Sequence, residues 1–248
     1  MGGGMDAVNA EAAAEVRGDV MDGIGAMAWS GCPEPALGLS PQRIHVGDRE
    51  VRVLFAMRDP RIVLFADFLS DEECDALIEA ARPRLRQSTV VDNETGGDSV
   101  LANVRTSDGM FFHPGENELV RRIETRIAHM VNWPVERGEG MQVLHYRVGA
   151  EYRPHFDFFP PDARGTPVIL QRGGQRLASV LMYLNEPTCG GGTTFPEIGV
   201  TVGAQRGQAL FFSYADPHRD TKTLHGGQPV IAGEKWLATK WLRQGTFT

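Results

Sequence analysis

Cysteine is scarce in this 248-residue chain: only Cys32, Cys74 and Cys189, odd in number and far apart. That spacing excludes a disulfide framework and a zinc-finger ligand set, and makes a reducing, cytoplasmic setting the expectation. No apolar run approaches the ~20 residues that a helix needs to cross a bilayer, so no membrane partner is expected. Runs of basic residues are missing too, and the net charge is −7. The electrostatic footprint of a nucleic-acid binder is therefore lacking, and no nucleic-acid partner is expected. Residues 1–36 are rich in Gly and Ala but lack the basic stretch and apolar centre of a signal peptide.

Glycine, by contrast, is plentiful: 29 residues beside an ordinary 42% apolar content, which suits strands and tight turns better than a helical bundle. Residues 1–40 read as a poorly ordered N-terminal arm, with a short helix near Ala7–Val16 and a linker at Gly38–Pro41. Residues 41–248 read as a single domain. Its first part carries two strand-like runs, Arg43–Phe55 and Ile62–Phe68. Ser70 and Glu73 then form a capping-box pattern, and Cys74, Leu77, Ile78 and Ala81 follow at helical spacing until Pro83 ends or kinks the helix. The polar, glycine-bearing stretch Thr89–Asn103 reads as a mobile loop. A second helix is expected over Glu116–Val131, with Leu119, Val120, Ile123, Ile127 and Met130 as its apolar stripe.

From Met141 the period changes. Short runs at Gln142–Arg147, His155–Phe158, Leu177–Leu184, Gln208–Ser213 and Lys235–Leu242 are separated by Gly-rich turns. This predicts an α+β, mainly β domain: an antiparallel sandwich or jelly roll over about residues 141–244, with the two preceding helices on one outer sheet face.

Within that β region, His155-Phe156-Asp157 is the first chemical signal. On a strand, residues i and i+2 share a face, so an imidazole and a carboxylate project together. His225 is the best third ligand, because a jelly roll brings distant strands side by side. Two histidines and one carboxylate leave adjacent positions open, the pattern of a non-haem Fe(II) oxygenase rather than of a closed structural zinc site. His-x-Asp alone is a weak signal. It gains weight from Lys235, which as part of a strand shares a face with Leu237, Thr239 and Trp241. A lysine on that face is buried and needs a partner, and the far carboxylate of 2-oxoglutarate is a natural one.

Further motifs surround these residues. They are Asp67-Phe68-Leu69-Ser70-x-x-Glu73-Cys74, Val104-Arg105-Thr106-Ser107 and Glu139-x-x-Gln142-Val143-Leu144-x-Tyr146. Tyr152-x-Pro154-His155-Phe156-Asp157 and Gly191-Gly192-Thr193-Thr194-Phe195-Pro196 follow, then His225-Gly226-Gly227-x-Pro229-Val230-x-x-Gly233-Glu234-Lys235-Trp236. Together, from about Ile62 to Leu242, the chain resembles the prolyl 4-hydroxylase family of Fe(II)/2-oxoglutarate dioxygenases, in its short soluble microbial form. The resemblance implies a double-stranded β-helix (jelly-roll) core with flanking helices. It implies Fe(II) on His155, Asp157 and His225, and 2-oxoglutarate held by Lys235, Tyr146 and Thr193. It implies a peptide groove lined by Arg105, Glu139, Tyr152, Arg176 and Trp241. O₂ is the implied co-substrate, ascorbate the implied reductant, and a proline-containing peptide or protein the implied substrate, hydroxylated at the 4-position with release of succinate and CO₂. The segment after Asp157, from Phe158 up to Gly174, departs from the pattern and, with the Thr89–Asn103 loop, is a candidate lid. Cys189 reads as incidental. The readings weighed against this one are a hydroxylase of a free amino acid or other small molecule, and a non-catalytic jelly-roll binding protein.

Overall fold

A computed structural model describes residues 31–38, 41–88, 90–91, 95, 97–99 and 105–248. The expected helix at Ala7–Val16 lies outside the described residues, as does most of the Thr89–Asn103 loop. In chain order come β1 (Arg43–His45), β2 (Glu50–Met57), β3 (Arg61–Ala66), helix α1 (Asp71–Ala81), β4 (Arg86–Gln87), β5 (Val90–Val91), β6 (Asp98–Ser99) and β7 (Asp108–Phe112). Helix α2 (Glu118–Met130) leads into β8 (Met141–Tyr146), β9 (Tyr152–His155), β10 (Arg176–Tyr183), β11 (Cys189–Gly190), β12 (Thr193–Phe195) and β13 (Val200–Val202). The chain closes with β14 (Ala209–Ser213), β15 (His225–Gly227), β16 (Val230–Ala232) and β17 (Lys235–Arg243).

Two sheets dominate. A nine-stranded sheet runs β1-β2-β3-β14-β10-β17-β8-β7-β4, and a four-stranded sheet runs β13-β12-β15-β9. Their apolar residues form two layers. On the outer face of the large sheet, Val63, Phe65, Met182, Phe211 and Ala238 pack with the helix stripes, including Cys74, Leu77, Ile123 and Ile127. On its inner face, Leu144, Leu181, Phe212 and Leu237 meet Phe195 and Val202 of the small sheet. The helices therefore cover one face and the small sheet the other, as the jelly-roll expectation required. Truncating any of these fully buried Leu or Phe side chains to Ala is worth about 2–5 kcal/mol.

The local signals account for the helices. Glu73 N donates to Ser70 Oγ at 3.2 Å and Ser70 N donates back to the Glu73 carboxylate at 3.0 Å, which fixes the start of α1. Pro83 lies in a short 3₁₀ turn that closes it. Helix α2 begins two residues later than expected, because Asn117, not Glu116, accepts from Val120 N (2.9 Å) as its cap. The two helices are tied by charge. Arg126 of α2, almost wholly buried, pairs with Glu73 at 2.8 Å and with Asp48 at 2.7 Å. Burial opposes ionisation of Glu73, but the Arg126 guanidinium and the Ser70 N–H bring its pKa down to about 2.

Two strand expectations are corrected. The run Arg43–Phe55 is not one strand but the β1–β2 hairpin, turned at Gly47 (φ 84°) and closed by Val46 N donating to Arg49 O at 2.8 Å. The run His155–Phe158 is not a strand: β9 ends at His155 and Asp157 lies in the bend beyond it. β9 is the edge of the small sheet, where Pro154, lacking an N–H, is tolerated. Past it the chain leaves the sheet, because Arg176 donates to the Asp157 carbonyl and Ser179 to its carboxylate.

Candidate metal centre and the cleft beside it

The small sheet sets His155 directly opposite His225, as register partners on β9 and β15. Gly226 makes that approach possible: a Cβ there would sit 2.8 Å from the Tyr152 carbonyl and 3.0 Å from Pro154 N. Each imidazole is oriented from behind. His155 Nδ1 donates to the Arg153 carbonyl at 3.0 Å and His225 Nδ1 to the Thr223 carbonyl at 2.9 Å. A carbonyl only accepts, so each Nδ1 carries a proton and Nε2 is the nitrogen that faces the metal position. Both Nε2 atoms lie 3.5 Å from the Asp157 carboxylate, one from each oxygen. The three ligand atoms lie within 4.8 Å of one another. Asp157 thus joins the histidines from a bend rather than from the strand face assumed for it.

The charge states suit a cation. Burial is the largest influence on His225 and, against the pull of Asp157, brings its pKa down to about 4. Burial also opposes the charge of Asp157, yet His225, His155 and Arg176 hold its carboxyl well below the usual carboxylate range. Two imidazoles and one carboxylate, converging with a side open to a cleft, fit a ferrous ion. Phe212 and Phe195 pack around the His225 ring at 4.6 and 5.8 Å and exclude water from that side.

The cleft lies between the sheets and is lined from both. Its other end is Lys235, register partner of Tyr146. The strand alternation read from the sequence holds: Lys235, Leu237, Thr239 and Trp241 all line this cleft. Lys235 is 2% exposed, and among the described residues no oxygen accepts a hydrogen bond from its ammonium and no carboxylate pairs with it. Only the rings of Tyr146 (5.4 Å) and Tyr183 (5.8 Å) face it. Burial, with no counter-charge against it, pushes Lys235 down to about 8. Thr193 stands close by in the same lining and accepts from the Tyr183 hydroxyl at 2.8 Å, which leaves its own hydroxyl hydrogen free to donate. A buried, unpaired cation with hydroxyl donors around it fits the remote carboxylate of a small diacid.

The residues assigned to a peptide groove divide in two. Arg105, Tyr152 and Trp241 line the cleft. Arg105 donates to Ser107 and Gln142 and lies 4.6 Å over the Tyr152 ring, which in turn stacks on His155 at 3.7 Å. Glu139 and Arg176 are not among the cleft's lining residues; they pair with each other at 2.6 Å, with Arg176 over the Trp241 ring at 4.1 Å. The segment after Asp157 is anchored at its start: Phe158 and Phe159 are buried, and Gln175 bonds both backbone groups of Phe159. Cys189 is exposed on β11 and does not line the cleft. Ser179 and Tyr214, which support Asp157, escaped the sequence reading. The one available signal was a lone hydroxyl in the apolar run Leu177–Met182.

Residues 141–243 match the sequence profile of the 2OG-Fe(II) oxygenase superfamily. Over 222 residues the chain is 41% identical to prolyl 4-hydroxylase 5 of Arabidopsis thaliana, covering 81% of this chain and 74% of that one. Among solved structures it is similar to the viral collagen prolyl hydroxylase of Paramecium bursaria Chlorella virus-1 in its 2OG complex, with TM-score 0.57 and 31% identity over 73% of this chain and 95% of that one. A Pseudomonas putida prolyl-4-hydroxylase, 22% identical with TM-score 0.52 over 73% of this chain and 92% of its own, shares the fold.

Proposed function

Because the chain belongs to the prolyl 4-hydroxylase family of 2-oxoglutarate- and Fe(II)-dependent oxygenases, we propose that it hydroxylates prolyl residues of a peptide or protein at the 4-position. His155, Asp157 and His225 hold the ferrous ion. Lys235, Tyr146 and Thr193 hold the far carboxylate of 2-oxoglutarate. Once bound, the ion, 2-oxoglutarate and O₂ supply the oxidation, in which decarboxylation to succinate and CO₂ is coupled to transfer of one oxygen atom to carbon.

The protein's own part is placement. The backbone carbonyls of Arg153 and Thr223 keep both imidazoles in the ligating tautomer. The ammonium of Lys235 anchors one end of the cosubstrate, so that its other end meets the metal in one orientation. The Tyr152 ring, stacked on His155, and Trp241, braced by Arg176, give the target residue two apolar walls next to the metal ligands. Arg105 at the cleft edge, and the Glu139–Arg176 pair against Trp241, contribute the polar contacts to the polypeptide. Ascorbate is the reductant we assign for restoring the ferrous state, on the family resemblance. A cytoplasmic setting is supported by the three cysteines, all free of disulfides.

One observation carries the reading: a His-Asp-His cluster within 4.8 Å opens onto the same cleft as a buried lysine that has no carboxylate partner among the described residues. The test is incubation with proline-containing peptides, free proline, Fe(II), 2-oxoglutarate and O₂, read by mass spectrometry. A gain of one oxygen on peptidyl proline is expected, and its loss in His225→Ala. Oxidation of free proline alone would overturn the polypeptide assignment.

A further inference from the structure

The carboxylate of Asp157 accepts a hydrogen bond from Ser179 Oγ at 2.5 Å, and Ser179 Oγ lies 2.8 Å from the Tyr214 hydroxyl. Both partners are buried, Ser179 completely, so water does not substitute for either. The direction of the chain follows from counting hydrogens. Ser179 has one to give. Asp157, ionised, only accepts, so Ser179 gives that hydrogen to Oδ2. The Tyr214 hydroxyl must then donate to Ser179. Ser179 comes from β10 of the large sheet and Tyr214 from just beyond β14, its neighbour. The relay therefore crosses from the large sheet to the bend after β9.

We infer that Tyr214 and Ser179 are positioning residues that aim Asp157 at the metal, acting in series and only through its Oδ2. The inference rests on the reading of Asp157 as an iron ligand. With Oδ2 engaged by Ser179, Oδ1 is the oxygen left for the cation, and the carboxylate keeps one rotamer although it sits in a bend rather than on a strand. Strand geometry orients a side chain without further help, whereas a bend does not. The relay supplies the orientation that β9 cannot. Donors to a ligating carboxylate also set its affinity for the ion, and losing such a partner typically weakens metal binding about 10–100-fold.

The experiment is a calorimetric titration of the metal-free protein with Co(II), which reads the site without turnover. Ser179→Ala is expected to weaken Co(II) binding about 10–100-fold, and Tyr214→Phe, which keeps the ring and removes only the hydroxyl, to weaken it less. Because Tyr214 acts through Ser179, the double variant should bind Co(II) like Ser179→Ala alone. Ser179→Thr, which restores a hydroxyl, should recover part of the loss. Wild-type affinity in Ser179→Ala, or effects of the two substitutions that simply add, would overturn the relay. Tyr214→Phe serves as the arm least exposed to misfolding. Asp157→Ala, titrated in parallel, separates the premises: if it binds Co(II) as wild type does, the metal-ligand reading fails and takes the relay with it.

Discussion

Strand β17 buries two lysines on its two opposite faces, and they have opposite fates. Lys240 faces the helices and Lys235 faces the cleft, each only 2% exposed. Lys240 donates to Glu124 of α2 at 2.5 Å, a pair closed on both sides by protein. Burial lowers its pKa and Glu124 opposes that. Lys235 has no such partner among the described residues, and burial alone lowers it, to about 8. The same residue type in the same strand is thus consumed by the fold on one face and left for a ligand on the other. Burial by itself does not identify a functional lysine. Burial without a counter-charge, facing a cleft, is what supports the role proposed for Lys235.

The largest effect expected from this contrast is on stability. Lys240→Ala leaves Glu124 buried and uncompensated, which should cost about 3–5 kcal/mol in urea unfolding. Lys235→Ala should leave unfolding unchanged or improved, since it removes a desolvated charge. It should instead weaken 2-oxoglutarate binding by about two orders of magnitude, or ~3 kcal/mol, in calorimetric titration. The pH dependence is a finer probe. The folded pKa of Lys235 lies near 8 and its unfolded value near 10.4, so between them the unfolded chain holds the extra proton. Stability of the ligand-free protein should therefore rise with pH across that window, and Lys235→Met should flatten the rise. Glu73 gives the acid counterpart. With a folded pKa of about 2 against about 4.3 unfolded, its contribution is full above the higher value and is lost as pH falls towards the lower. Glu73→Gln should remove that part of the acid transition. The smallest change is expected for Lys240→Met combined with Glu124→Leu, which replaces the pair by apolar groups and should recover most of the stability lost in Lys240→Ala.

These contrasts also show what the amino-acid order makes legible. Alternation along a long strand is a local property, so the face of Lys235, Leu237, Thr239 and Trp241 could be read directly. Capping at Ser70 and Glu73 is equally local, as are the helix stripes. The identity of a partner is not local. Nothing near Lys240 announces Glu124, and nothing near Arg126 announces Glu73 and Asp48, because each pair joins elements that only the tertiary fold brings together. Asp157 shows the same limit from the other side. It does converge with His155 and His225, but the strand that was to orient it ends too soon, and it is distant Ser179, backed by Tyr214, that meets its carboxylate. Glu139 and Arg176 came into the groove by resemblance, and that they form an ion pair with each other was equally out of reach of local pattern.

The most direct test of the account is to titrate 2-oxoglutarate, with Mn(II) in place of iron, into Lys235→Ala and into the doubly apolar variant Lys240→Met with Glu124→Leu. Affinity should fall about a hundredfold in the first and change less than about twofold in the second. Equal losses in both, or full affinity in Lys235→Ala, would contradict the claim that the unpaired lysine is the one that holds the cosubstrate.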